Sequence, residues 1–235
     1  MGDPHKLLDA ALSRLTALIE LEPATAVDGC THCLAAHELA ALSGPAEAVP
    51  DDLVAYVAGD VPSMWGDFGT LYRRLTPRIL TLLMRGELHV DESLVGLNLA
   101  RADWRSWPNG QALALQDVFT AWWSTVLASP AAIPTVDQAL ELLLGATGTI
   151  TPWLDIWADT RTTSADLHLE DLIQNWTPYL ATGPLLLGFN DDFDVTAEVT
   201  AWMLEHGPAR VTDEDAWEWL TALHSAAYPP SPMQP

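Results

Sequence analysis

The spacing of apolar residues constrains this chain more than any other feature. Near the N-terminus they stand at Leu7, Leu8, Ala11, Leu12, Leu15, Leu18 and Ile19, the three-and-four rhythm that lines one stripe of an α-helix. Asp3 followed by Pro4 is a helix start: a side-chain oxygen to cap the first turn, then a residue whose missing N–H is no loss there. Pro23 stops the run. The same punctuation predicts helices from near Thr31 to Ser43-Gly44-Pro45, after Pro50, and over 67–85 with Pro77 inside and Gly86 behind. Others follow from Asp91-Glu92, over 108–128, and from Pro134 to Gly145 or Gly148. The last four are a short helix at Thr151-Pro152, one over 164–180, one from Phe193 or Asp194 to Glu205, and one opened by Thr212-Asp213-Glu214-Asp215. In that last helix the first-turn acids suit the positive end of the helix dipole.

Period-two alternation is scarce, and Leu185-Leu186-Leu187 is too short and too near glycine to carry a sheet. About ten short-to-medium helices joined by short loops make an all-α protein. Antiparallel helix pairs in an irregular bundle or in a degenerate helical-repeat array both suit the pattern. Residues 1–228 read as a single all-α domain, with two lobes meeting near 129–134, and 229–235 as a Pro-rich mobile tail. The 11 Trp residues stand mostly at core spacing. Trp122 and Trp123 point in different directions, so one is expected near the edge of the core.

Charge narrows the function. Thirty-two acidic residues against ten basic ones give a net charge of −22. Residues 1–60 hold ten acids and two bases, 61–120 six of each, and 121–235 sixteen acids and two bases. A nucleic acid or an anionic membrane needs clustered cations, so neither is an expected partner. No apolar run nears the roughly 20 residues that span a bilayer. Nor does a basic segment followed by an apolar one open the chain, so a cytoplasmic location is expected. Nine of the ten bases are Arg, a coding preference of GC-rich bacterial genomes.

Three constellations carry chemistry. Cys30-Thr31-His32-Cys33, with His37 four residues on, offers two thiolates and imidazole on a helix that begins near Thr31. His32 is a further ligand, and zinc is the metal that suits thiolate and imidazole. The same pair reads as a redox couple, or as small side chains helping the helix pack. Arg74, Arg78 and Arg85 share one face of the 67–85 helix. They serve either as partners of internal carboxylates or as an anion pocket for phosphate or carboxylate. Asn190-Asp191-Asp192-Phe193-Asp194 lacks the glycine and the spaced glutamate of a calcium loop, so a helix cap is its plain role. No nucleophile elbow, zinc-protease helix, P-loop or dinucleotide fingerprint is present.

The expectation is therefore an acidic interaction protein (an adaptor, an immunity-type protein or an inhibitor) that binds a basic protein through its acidic C-terminal half. A metal- or thiol-dependent protein centred on Cys30, Cys33 and His37, a class that includes enzymes, is the alternative.

Overall fold

The fold comes from a computed structural model that describes residues 2–21, 25–108 and 110–227. Pro23 and the 229–235 tail lie outside the described residues. The chain is all-α, with eleven α-helices and a single two-strand hairpin among the described residues. In order these are α1 (Pro4–Glu20), α2 (Ala36–Leu42), α3 (Asp51–Gly59), α4 (Phe68–Met84), α5 (Glu92–Arg101) and α6 (Gln111–Ala128). After them come α7 (Val136–Thr147), α8 (Thr151–Asp159), α9 (Thr163–Thr182), the strands β1 (Leu186–Leu187) and β2 (Phe193–Asp194), α10 (Thr196–His206) and α11 (Glu214–Ala227).

Local sequence explains most boundaries. Asp3 caps α1 through His5 N–H at 3.1 Å, Asp67 caps α4 through Thr70 N–H at 3.0 Å, and Asp91 caps α5 through Ser93 N–H at 2.9 Å. Gly148 closes α7 at φ +73°, a left-handed position that glycine adopts without strain.

Of the two all-α arrangements open to the sequence, the bundle is the one observed. The most extensive helix pairs are α5 with α7, α1 with α6 and α9 with α11. The α1–α6 pair passes over four intervening helices, whereas in a repeat array each helix pair touches only the pairs beside it. Central α6 touches α1, α7, α8 and α9. Both Trp122 and Trp123 are therefore buried, at 2% and 0% exposure, and neither marks a core edge. Where α5 meets α7, Gly96 and Gly145 let the backbones close up: a Cβ on Gly96 would stand 2.3 Å from the Leu142 carbonyl oxygen. The buried apolar side chains form one connected cluster from Leu8 to Leu223.

Two local expectations change. The helix foreseen near Thr31 begins only at Ala36. Gly29 forms an antiparallel bridge with Trp65, and Cys30 N–H donates to the Met64 carbonyl at 3.0 Å, so this stretch is bound to a distant loop instead. The leucines at 186–187 do form a strand, paired antiparallel with Phe193–Asp194. Asp194 then accepts from Thr196 N–H at 3.1 Å and from Thr196 Oγ1 at 2.6 Å at the start of α10.

Candidate functional site

The C-terminal half gathers carboxylates along a groove between α8 and α10. Asp155 and Asp159, four apart, share one face of α8; Glu198 and Glu205, seven apart, share one face of α10. All four are exposed and line a cavity of about 630 Å³ whose floor includes Leu154, Ala158, Ala201 and the buried Trp202. Trp202 Nε1–H donates to the Leu154 carbonyl at 3.0 Å, which fixes α10 against α8. Its ring continues an aromatic row, Trp123–Trp157–Trp202–His206, with centroids 5.1 to 5.7 Å apart. No Lys or Arg lines this groove. Nearby in sequence, α11 exposes Trp217 at 48% and Trp219 at 38%, among Glu214, Asp215 and Glu218.

A second concentration of negative charge lies on α7. Burial, and then the charges of Asp91, Asp137, Asp191 and Glu92, raise the pKa of half-buried Glu141. Burial, and then the charges of Asp91 and Asp137, raise the pKa of Glu92 as well.

Little positive charge reaches this surface. Of the two arginines beyond residue 120, Arg210 is internal, its side chain 1% exposed. Its Nε donates to Asp166 at 2.6 Å, while Nη1 and Nη2 donate to the carbonyls of Trp157 and Thr160, both at 3.0 Å. Buried Glu170, close by, accepts from the N–H groups of Thr212 at 2.6 Å and Asp213 at 2.9 Å, which seats the start of α11. Arg161 remains as the one exposed Lys or Arg of the described C-terminal half, facing thirteen exposed carboxylates.

Arg74 and Arg78 sit on α4 beside a cavity of about 500 Å³ that Glu20 and Glu47 also line. Arg74 donates to the carbonyls of Leu42 and Gly44, at the end of α2. Arg78 donates to the carbonyls of Ala46 and Glu47 and pairs with Asp51. Both guanidiniums thus tie α4 to the 42–51 segment. Arg85 comes one residue after α4, exposed and outside that cavity's lining, so it does not extend an anion site with the other two.

Cys30 and Cys33 lie together in a turn ahead of α2, not on it. Cys33 therefore shares no helical face with His37, and His32 is exposed on the same turn. Among the described residues no group of three or more His, Cys, Asp or Glu side chains is arranged to hold a metal ion. Glu38 is engaged in receiving Ala35 N–H at 2.6 Å. Hydrogen bonding with His32 and Cys33 lowers the Cys30 pKa, whereas hydrogen bonding with Cys30, and then burial, raises that of Cys33.

Comparison with protein-family models, with curated proteins and with solved structures finds no match to this chain. No helix among the described residues is long and apolar enough to cross a membrane.

Proposed function

We propose that this protein is an interaction protein whose C-terminal half binds a basic protein partner, in the manner of an adaptor or inhibitor. One observation carries the reading: thirteen exposed carboxylates there face a single exposed Arg, because Arg210 is held inside. A surface of one sign builds a field that steers an oppositely charged protein and gains most where the partner's cations displace self-repulsion. The α8–α10 groove supplies the shape: carboxylates on both walls for Lys and Arg, an apolar floor for the residues between them. Trp217 adds an aromatic face on which a guanidinium stacks, and Trp and Arg are the residues that dominate interface energies.

The test uses a labelled, Arg-rich amphipathic peptide and fluorescence anisotropy. One variant neutralises the groove (Asp155→Asn, Asp159→Asn, Glu198→Gln, Glu205→Gln). A control neutralises four exposed acids elsewhere (Asp9→Asn, Glu47→Gln, Asp52→Asn, Glu87→Gln). Removing four groove charges is expected to weaken binding by on the order of tenfold or more, and the control by far less. Trp217→Ala is expected to cost about tenfold, the scale of an anchoring aromatic. Raising salt from about 0.1 M to about 1 M contracts the screening length from about 10 Å to about 3 Å and should abolish the contact. Equal losses in groove and control variants, or binding indifferent to salt, would overturn the proposal.

A further inference from the structure

The turn that carries Cys30 and Cys33 is built in a way the charged surface does not need. Its base is pinned by the Gly29–Trp65 bridge, by Cys30 N–H on the Met64 carbonyl, and by Gly66 N–H on the Asp28 carbonyl at 2.9 Å. Its other end is anchored by Leu34, buried in the core. Between these anchors the Cys30 carbonyl accepts from Cys33 N–H at 3.1 Å and from Leu34 N–H at 3.0 Å. A turn closed from residue i to i+3 brings those two Cα atoms within about 7 Å, the separation a disulfide spans. Cys33 is exposed and Cys30 half-exposed, so both sulfurs are open to a reagent. The two are unequal. The Cys30 pKa is lowered by hydrogen bonding with His32 and Cys33, the direction that favours a thiolate. The Cys33 pKa is raised, first by hydrogen bonding with Cys30 and then by burial.

The geometry points to a thiol–disulfide exchange site, in which Cys30 is the attacking sulfur, Cys33 the resolving one, and an organic disulfide the oxidant. In the first step the Cys30 thiolate attacks one sulfur of R–S–S–R, the S–S bond breaks, and R–S⁻ leaves a Cys30–S–S–R mixed disulfide. In the second, Cys33 gives its proton to the departed thiolate and attacks the Cys30 sulfur. The Cys30–Cys33 bond forms and the second R–S⁻ departs. The protein dithiol is oxidised by two electrons and R–S–S–R is reduced to R–SH and R–S⁻.

Oxidised glutathione is the probe, applied to the full-length reduced protein and read by mass spectrometry. The wild type is expected to lose two hydrogens without retaining glutathione. Cys33→Ser is expected to accumulate a glutathionyl adduct on Cys30, and Cys30→Ser to acquire one on Cys33 far more slowly. Iodoacetamide gives a second measurement that needs no oxidant. A lower pKa raises the thiolate fraction by more than it lowers the thiolate's nucleophilicity, so Cys30 should alkylate faster than Cys33 near pH 7. The urea-unfolded chain serves as the reference of equal rates. Equal alkylation rates in the folded protein, or adducts formed equally on either cysteine, would overturn the assignment. So would about one zinc per chain bound by the reduced protein and lost in the double Ser variant, which makes the pair a metal clip.

Discussion

Replacing Arg210 with Met tests how the C-terminal half is held together. Met keeps the volume of the site but removes every donor, so Asp166 loses its 2.6 Å partner and the Trp157 and Thr160 carbonyls lose theirs. Breaking a buried ion pair from one side costs about 3–5 kcal/mol. Two features place this case at the low end: the Asp166 side chain is 34% exposed and rehydrates, and the Trp157 carbonyl still receives Thr160 N–H at 3.1 Å. The expected loss is about 3 kcal/mol. For a chain of this size that lowers Tm by about 6–12 °C, at about 2–4 °C per kcal/mol. Urea unfolding followed by tryptophan fluorescence gives the free energy, and calorimetry gives the Tm. Arg210→Lys should recover only part of the loss, because one compact ammonium cannot reach three acceptors in different directions. Asp166→Asn combined with Arg210→Met should cost less than the two changes summed, by about 1–3 kcal/mol. If Arg210→Met unfolds within about 0.5 kcal/mol of the wild type, or the two changes simply add, the network is not what joins α8, α9 and the segment before α11.

Gly96→Ala sets two effects against each other. Alanine gains about 1 kcal/mol of helix propensity, but its Cβ would stand 2.3 Å from a backbone carbonyl oxygen, which only a shift of α7 can relieve. Overpacking of this kind costs about 1–3 kcal/mol or more, so a net loss is expected in urea titration, and a stabilised variant would show that the crossing is looser than described. Glu141→Gln tests the acidic cluster through pH. The folded state raises the Glu141 pKa, so the protonated form is the one the fold favours. The stability linked to it is present below the unfolded value near about 4.3 and is lost as pH rises through the raised one. The Gln variant should therefore melt higher than the wild type at neutral pH and converge with it in acid; a gap that does not change with pH would count against the reasoning.

Much of the fold was legible because it is written locally. Asp3-Pro4, Asp67, Asp91 and Gly148 mark helix ends through atoms only a few residues away, and each does what its type and position require. The errors came where a distant partner decided. Nothing near Thr31 reports that Gly29 pairs with Trp65, so the local punctuation predicts a helix several residues early. Trp122-Trp123 implied a core edge because the sequence does not show that α6 is surrounded. The groove is hidden from the sequence for the same reason. The spacings of 155 and 159 and of 198 and 205 were readable, but that α8 and α10 lie side by side follows from Trp202 reaching the Leu154 carbonyl, 48 residues back.

The arginines explain why so many carboxylates are left without a counter-charge. Among α2, α7 and α8 none carries a basic residue in its own last turn, where the negative end of the helix dipole favours one. Each borrows one from elsewhere in the chain. Arg74 binds the Leu42 and Gly44 carbonyls after α2, and Arg105, stacked on Trp104, binds those of Ala146 and Thr147 at the end of α7. Arg210 binds those of Trp157 and Thr160 at the end of α8. These contacts span 30 to 53 residues, so they were invisible to any local reading. They commit scarce cations to helix ends, leaving the acidic residues of the C-terminal half to repel one another in solvent. Repulsion held on a surface is relieved by whatever brings cations to it. A basic partner would therefore stabilise the folded chain as it binds, and the melting temperature should rise with the Arg-rich peptide in the wild type by more than in the groove-neutralised variant.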